Sequence, residues 1–147
     1  MIYSTLATVA IVYSAIVGLL YIGQRSLMYQ PTQDLGTPAS RDIPEASPVL
    51  LNTSDGLELQ SWYVPSVGDG AVILYFHGNA GHIGDRGSKV RPYVEAGYGV
   101  MLVGYRGYGG NPGSPTEEGL YEDAEAALSN LKELGIKPKD WVLYGES

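Results

Sequence analysis

Cysteine is missing from the 147-residue sequence, which excludes disulfide scaffolds, thiolate zinc sites and a cysteine nucleophile. Positive charge is scarce as well, because 9 lysines and arginines stand against 16 acidic residues and leave a formal net charge of -7. Such a chain gains no counterion-release energy on a polyanion, so we expect no nucleic-acid partner. No cluster of metal-ligating residues is evident in the sequence, and we predict neither a metal nor a cofactor.

The first 24 residues carry no charged side chain. They are apolar apart from scattered serines and threonines, and about 20 helical residues suffice to cross the bilayer core. We therefore predict a single-pass transmembrane anchor at residues 1–24. A cleaved signal peptide is the main alternative, but the basic n-region and A-x-A-like cleavage site that it needs are not visible. Arg25 and Arg41 are too few to decide the side of the membrane.

Residues 25–48 are predicted to be an extended linker, because the stretch 30–48 contains four prolines and no apolar period. Residues 49–147 then read as a hairpin, strand, helix, strand, helix and strand. The strands are predicted from an Asp-Gly turn at 55–56, from buried apolar runs at 71–76 and 98–105, and from a further run that begins at Trp141. One predicted helix is interrupted by Pro92 and ends at Gly97, and the other begins at Ser114-Pro115-Glu117. This alternation predicts an α/β fold with a three-layer, mostly parallel sheet.

Chemistry is expected at the carboxyl ends of the parallel strands, where ligands bind in open α/β sheets. The chain ends in a strand followed by Gly145-Glu146-Ser147. This is the beginning of a G-x-S-x-G nucleophile elbow, in which the residue two before the serine must be small to allow a tight strand-to-helix turn. Ser147 is thus a candidate nucleophile. Gly-Glu-Ser after a strand is also compatible with an ordinary turn.

A second loop, His77-Gly78-Asn79, directly follows the buried run at 71–76. It matches an oxyanion loop, in which Gly78 lets the chain swing across the sheet edge and the backbone N–H of Asn79 faces the substrate carbonyl oxygen. For His77 we favour a structural imidazole bonded to the backbone, and His82 is interpreted as a loop residue. A phosphate-binding loop is the other interpretation of these glycines, but neither nucleotide-binding glycine motif occurs in the chain.

Three ordered stretches resemble the H-G-N-A branch of the α/β-hydrolase superfamily: LYFHGNAGHIGDR, VGYRGYGGNPGSPTEEGLYEDAEAAL and VLYGES. Members of this branch are serine hydrolases of esters or thioesters, often membrane-anchored, and include protein depalmitoylases. The resemblance implies an acyl-enzyme mechanism with Ser147 as nucleophile, Asn79 as oxyanion donor, and Tyr105 and Arg106 shaping the loop beside the site. An anchor beside the membrane favours a lipid or acyl-protein ester as the substrate. Gly104 departs from the pattern, because relatives often carry a polar residue such as Asp there.

A serine nucleophile needs a base and an acid, which follow the serine in the chain order of this superfamily. We therefore expect residues 49–147 to be the incomplete amino-terminal part of a hydrolase domain, and expect these 147 residues alone to fold poorly and to be inactive. The alternatives are a truncated, non-catalytic binding or interaction module and an α/β binding domain with an accidental resemblance.

Overall fold

The structure, a computed structural model, describes residues 2–147 in two compact units that divide after Gln30. The first unit contains helix α1 (Ile2–Met28), which extends past the predicted 1–24 span and buries none of its side chains. Thr8 Oγ1 donates a hydrogen bond back to the Ser4 carbonyl oxygen at 2.9 Å, which satisfies a polar side chain within the helix. By length and composition α1 is able to cross a membrane, a test that signal sequences and buried core helices also pass.

The second unit is built on a five-stranded sheet. Its strands lie in the order β2 (Ser47–Asn52), β3 (Glu58–Val64), β6 (Gly99–Val103), β4 (Val72–Phe76) and β7 (Trp141–Gly145). The first two strands form the predicted antiparallel hairpin, β3 pairs antiparallel with β6, and β4 pairs in parallel with both β6 and β7. The elements are β1 (Gln30–Pro31), β2 (Ser47–Asn52), β3 (Glu58–Val64), β4 (Val72–Phe76), β5 (Ala80–Gly81), α2 (Gly87–Glu95), β6 (Gly99–Val103), α3 (Glu117–Glu133) and β7 (Trp141–Gly145).

Alternate side chains of the central strands enter two separate cores, which confirms the three-layer α/β architecture. In β4, Ile73 and Tyr75 belong to the core on the α2 side, and Val72 and Leu74 belong to the core on the α3 side. The strand periodicity of two explains this division, since successive side chains point to opposite faces. Both faces of β4 and β6 are therefore apolar, as the continuous apolar runs predicted.

The prediction of an extended linker at 25–48 is corrected by the structure. From Pro31 onward this stretch belongs to the folded unit, and Leu35, Ile43 and Ala46 are buried in the core on the α2 side. A four-residue 3₁₀ helix at Pro38–Arg41, capped by the Thr37 side chain, directs the chain inward. Thr32 N–H donates to the Gly81 carbonyl oxygen at 3.3 Å. Three isolated apolar residues among prolines give no periodic signal, although they are enough to dock the segment.

Two details of the helices also differ from the sequence-based expectation. Pro92 lies inside α2 without ending it. A proline at this position removes one backbone hydrogen bond, but the helix continues to Glu95. Helix α3 is capped by Thr116, whose side chain accepts from the Gly119 N–H, and not by Ser114. Both helices end as predicted before a left-handed glycine, Gly97 at φ 87° and Gly135 at φ 78°.

Gly104 departs from the resembled pattern for a steric reason. A Cβ added to Gly104 would lie 2.1 Å from the Gln60 carbonyl oxygen and 2.8 Å from Asn111 Nδ2. Its N–H donates to the buried Ser61 hydroxyl at 2.8 Å, which fixes the backbone at this close approach. The loop after β6 therefore has no room for a side chain at position 104.

We expect Gly104→Ala to lower the free energy of unfolding by about 1–3 kcal/mol, because the methyl group must displace backbone. Urea unfolding of the full-length protein measures this change. Equal unfolding midpoints for Gly104→Ala and the parent protein would contradict the steric argument.

Candidate active site

The carboxyl ends of β4 and β7 lie side by side at one edge of the sheet. Phe76 and Gly145 are partners in the parallel register, and Glu146 N–H donates to the Phe76 carbonyl oxygen at 2.9 Å. The two loops therefore leave the sheet from adjacent positions. A Cβ added to Gly78 would lie 3.6 Å from the carbonyl carbon of Ser147. The structure thus brings the His77-Gly78-Asn79 loop close to the Gly145-Glu146-Ser147 segment, two motifs about 70 residues apart in the sequence.

The two glycines of this site need no left-handed backbone, since neither Gly78 nor Gly145 has a positive φ. A Cβ at Gly145 would meet no atom of residues 2–147 within 4 Å, and one at Gly78 would make ordinary contacts at 3.6 Å. Gly78 therefore lies within ordinary van der Waals distance of Ser147, and residues 2–147 contain no steric reason for glycine at position 78. The requirement for a small residue at 145 has no steric cause in the described part of the chain.

His77 is a buried, neutral imidazole. Its Nδ1 lies 2.8 Å from the Gly78 carbonyl oxygen, and because a carbonyl only accepts, Nδ1 carries the proton. Nε2 is then an acceptor, and it is buried without a partner among the described residues. Burial lowers the pKa of His77 to about 4. Because its Nδ1 is bonded to the backbone of the next residue, the His77 ring is suited to supporting the loop.

Two tyrosines of the loop after β6 pack against the His77 ring. The Tyr105 centroid lies 4.3 Å from that of His77, and the Tyr108 centroid lies 5.1 Å away in an edge-on arrangement. The Tyr108 hydroxyl donates to the Asn79 carbonyl oxygen at 2.9 Å. Tyr105 thus lies beside the oxyanion loop, as predicted, and Tyr108 fixes the peptide that follows Asn79. Asn79 itself is exposed.

Arg106 was predicted to shape the loop beside the site. Its guanidinium binds two carboxylates, with Nε 2.8 Å from Asp123 Oδ1 and Nη1 2.7 Å from Asp55 Oδ2. The Arg106 backbone N–H also donates to Asp123 Oδ2 at 2.9 Å. Hydrogen bonds to Asp123 and Asp55 raise the pKa of Arg106, so it stays charged. Arg106 ties its loop to α3 and to the hairpin turn.

A second ion pair, between Arg86 and Glu146, was missed by sequence reasoning. Glu146 Oε2 accepts from Arg86 Nε at 2.9 Å and from the Tyr75 hydroxyl at 3.1 Å, and Oε1 accepts from Lys89 Nζ. Burial raises the pKa of the Glu146 carboxyl, but hydrogen bonds from Lys89 and Arg86 outweigh it and lower that pKa to about 2. Glu146 is therefore ionised at neutral pH.

His82 supports the local backbone, and the open clefts lie away from the candidate site. His82 caps the 3₁₀ turn Ile83–Arg86, accepting from the Gly84 N–H at 3.1 Å, so its ring serves the loop. Two open clefts of about 510 and 420 Å³ adjoin the hairpin turn and the segment before β4. Neither cleft is lined by His77, Gly78 or Ser147.

The mixed sheet, the helix layers on both faces and the two loops at the strand ends define an α/β-hydrolase fold. Among solved structures, the chain is similar to an α/β-hydrolase of Vibrio vulnificus, with a TM-score of 0.60 and 30% identity over 68% of this chain and 35% of that one. It also superposes on the Pyrococcus furiosus esterase Pf2001, with a TM-score of 0.63 and 24% identity over 79% of this chain and 48% of that one. The second likeness shows the fold alone.

Sequence relatives cover nearly the whole chain. An uncharacterized protein of Mycobacterium tuberculosis is 38% identical over 96% of this chain. The alpha/beta hydrolase domain-containing protein WAV2 of Arabidopsis thaliana and an uncharacterized membrane protein of Saccharomyces cerevisiae are 33% and 34% identical over 89%. The chain spans about half the length of these relatives: 51%, 46% and 48%, respectively. Comparison with models of known protein families finds no match.

Proposed function

We propose that the full-length protein is a serine hydrolase of carboxylic esters or thioesters, with Ser147 as its nucleophile. The observation that carries the proposal is the approach of Gly78 to Ser147 at the shared edge of β4 and β7. A nucleophile and an oxyanion donor must both reach one scissile carbonyl group, and loops that leave neighbouring strand ends support such an arrangement.

In the proposed reaction, the Ser147 oxygen attacks the carbonyl carbon while its proton passes to a base. The developing oxyanion accepts a hydrogen bond from the Asn79 N–H. The carbon–oxygen or carbon–sulfur bond then breaks, the leaving group takes the proton, and water hydrolyses the acyl-enzyme. The base and acid belong, by the resemblance, to the chain after the serine. His77 does not fit the base, because the base follows the serine in the chain order of this superfamily and burial lowers the pKa of His77 to about 4.

The substrate class we propose is an acyl ester at a membrane, either of a lipid or of an acylated protein. Helix α1 supports a membrane location by its length and composition, and so does the similarity to an uncharacterized membrane protein of yeast. The order and spacing of the H-G-N-A stretches support the branch. Single-pass anchoring by α1 belongs to this proposal.

Labelling of the full-length protein with a fluorophosphonate probe, followed by peptide mapping, tests the proposed function. We expect one modified residue, Ser147, because fluorophosphonates react with serines that have an active base and an oxyanion hole. Absence of label in a protein that unfolds cooperatively would overturn the proposal and favour a non-catalytic binding module. Label on another serine would overturn the choice of nucleophile.

The oxyanion donor is tested by a pair of substitutions at position 79. Asn79→Pro removes the backbone N–H and should lower kcat by about 10²–10³-fold, whereas Asn79→Ala keeps the N–H and should leave kcat nearly unchanged. Both variants retain the carbonyl that accepts from Tyr108. Steady-state hydrolysis of a short-chain aryl ester measures the difference, with thermal unfolding as the check on folding. Equal rates for the two variants would contradict a donor at Asn79.

A further inference from the structure

We propose that Arg86 and Glu146 are positioning residues that fix the distance between the nucleophile elbow and the oxyanion loop. The inference rests on the proposed function, since it concerns the same two loops. It extends that function to a pair of residues that contact each other and join the two loops.

Glu146 is the residue between Gly145 and the proposed nucleophile, so its side chain controls the elbow directly. The carboxylate accepts from Arg86 at 2.9 and 3.4 Å and from the Tyr75 hydroxyl at 3.1 Å. Its backbone N–H is bonded to Phe76. Both the main chain and the side chain of Glu146 are thus fixed, which leaves Ser147 as the next residue on a constrained turn.

Arg86 belongs to the other side of the site. It ends the 3₁₀ turn that follows the oxyanion loop, and its Nη1 lies 3.4 Å from the His82 carbonyl oxygen. A Cβ added to Gly81 would lie 2.8 Å from the same Nη1, so the loop backbone runs against the guanidinium. One guanidinium therefore contacts both the segment after β4 and the elbow after β7.

The energetics favour this pair over the neighbouring one. The Arg86 and Glu146 side chains are 10% and 18% exposed, whereas Lys89, which binds the same carboxylate, is 53% exposed. Lys89 lies closer to the carboxylate, at 2.5 Å, and its hydrogen bond lowers the Glu146 pKa, but its side chain is exposed, so water screens this pair and reduces its contribution to stability. Arginine in a buried pair holds a fixed planar geometry, and removing one partner leaves an uncompensated charge. Lys89 is thus a matched control that touches the same carboxylate.

A kinetic comparison of five variants tests the positioning role. Glu146→Gln, Arg86→Met and Arg86→Lys each should lower kcat by about 10- to 100-fold with KM nearly unchanged, because small misplacements of reacting groups cost that much. The double variant Glu146→Gln/Arg86→Met should be no slower than either single one, since both break the same link. Lys89→Met should change kcat by at most about threefold.

Each outcome of this comparison is decisive. Additive losses, a rise in KM without a fall in kcat, or an equal loss in Lys89→Met would overturn the positioning role. Glu146→Gln preserves side-chain volume, and a cooperative thermal transition confirms that it is folded. If Ser147 of the parent protein takes no fluorophosphonate, the proposed function fails. If it is labelled and the Arg86 and Glu146 variants are labelled at the parent rate, only the present inference fails.

Hydrogen exchange supplies a readout that is independent of catalysis. In the Ser147→Ala background, Arg86→Met should speed amide exchange both in residues 77–82 and in residues 145–146, while Lys89→Met should speed neither. Coupled loosening of two segments joined through one guanidinium supports the inference. Faster exchange confined to α2 would contradict it, since that pattern describes a local effect on helix stability.

Discussion

Ester hydrolysis by the full-length protein is expected to fall by about 10⁴-fold or more when Ser147 is replaced by alanine. Removing the nucleophile of a serine hydrolase eliminates the acyl-enzyme route and leaves only the residual effect of substrate binding and the oxyanion hole. Ser147 belongs to neither core of the described residues. The substitution should therefore leave thermal unfolding unchanged, which separates a chemical effect from a structural one.

The measurement is steady-state hydrolysis of a short-chain aryl ester by full-length protein in detergent micelles. Ser129→Ala is the matched control, because Ser129 is an exposed serine on α3 and its loss should not change kcat. A Ser147→Ala variant that retains more than about a tenth of the parent kcat would contradict the nucleophile assignment, since no other residue replaces a missing triad serine so well.

The sheet could be predicted from the sequence because its strands carry a strong signal. The runs in β4 and β6 are apolar on both faces, and the two helices each end at a glycine that the structure places in a left-handed conformation. The segment 31–48 was misread for the opposite reason. Leu35 and Ile43 dock it without a periodic pattern, and prolines that suggest a linker also suit a short 3₁₀ turn.

Part of the candidate site could be predicted from the sequence and part of it could not. Backbone features, such as the His77-Gly78-Asn79 loop and the Gly-x-Ser ending, have motifs, and the parallel register brings them together. The ion pairs that join the loops to other elements are not marked by any sequence motif. The pairs Arg86–Glu146 and Arg106–Asp123 join residues 60 and 17 positions apart. A charged residue on a helix or turn ordinarily indicates a solvated surface, so only the three-dimensional fold reveals that these charges are buried partners.

Breaking the Arg106–Asp123 ion pair is expected to have a large effect on the free energy of unfolding. Asp123 is fully buried on α3, and its carboxylate is matched by the Arg106 side chain and backbone N–H. Arg106→Met leaves that carboxylate without its charged partner. We expect the free energy of unfolding to fall by about 3–5 kcal/mol, the usual cost of breaking a buried pair from one side. Urea unfolding of the full-length protein measures it.

Two companion variants separate the buried charge from the loop tie. Asp55→Asn removes the other partner of Arg106, but Asp55 is 44% exposed, so the expected loss is at most about 1 kcal/mol. The double variant Arg106→Met/Asp123→Leu removes both buried charges and should be more stable than Arg106→Met alone, because no uncompensated carboxylate remains. If the double variant is less stable than the single one, the bonds themselves, and not the stranded charge, hold the loop to α3.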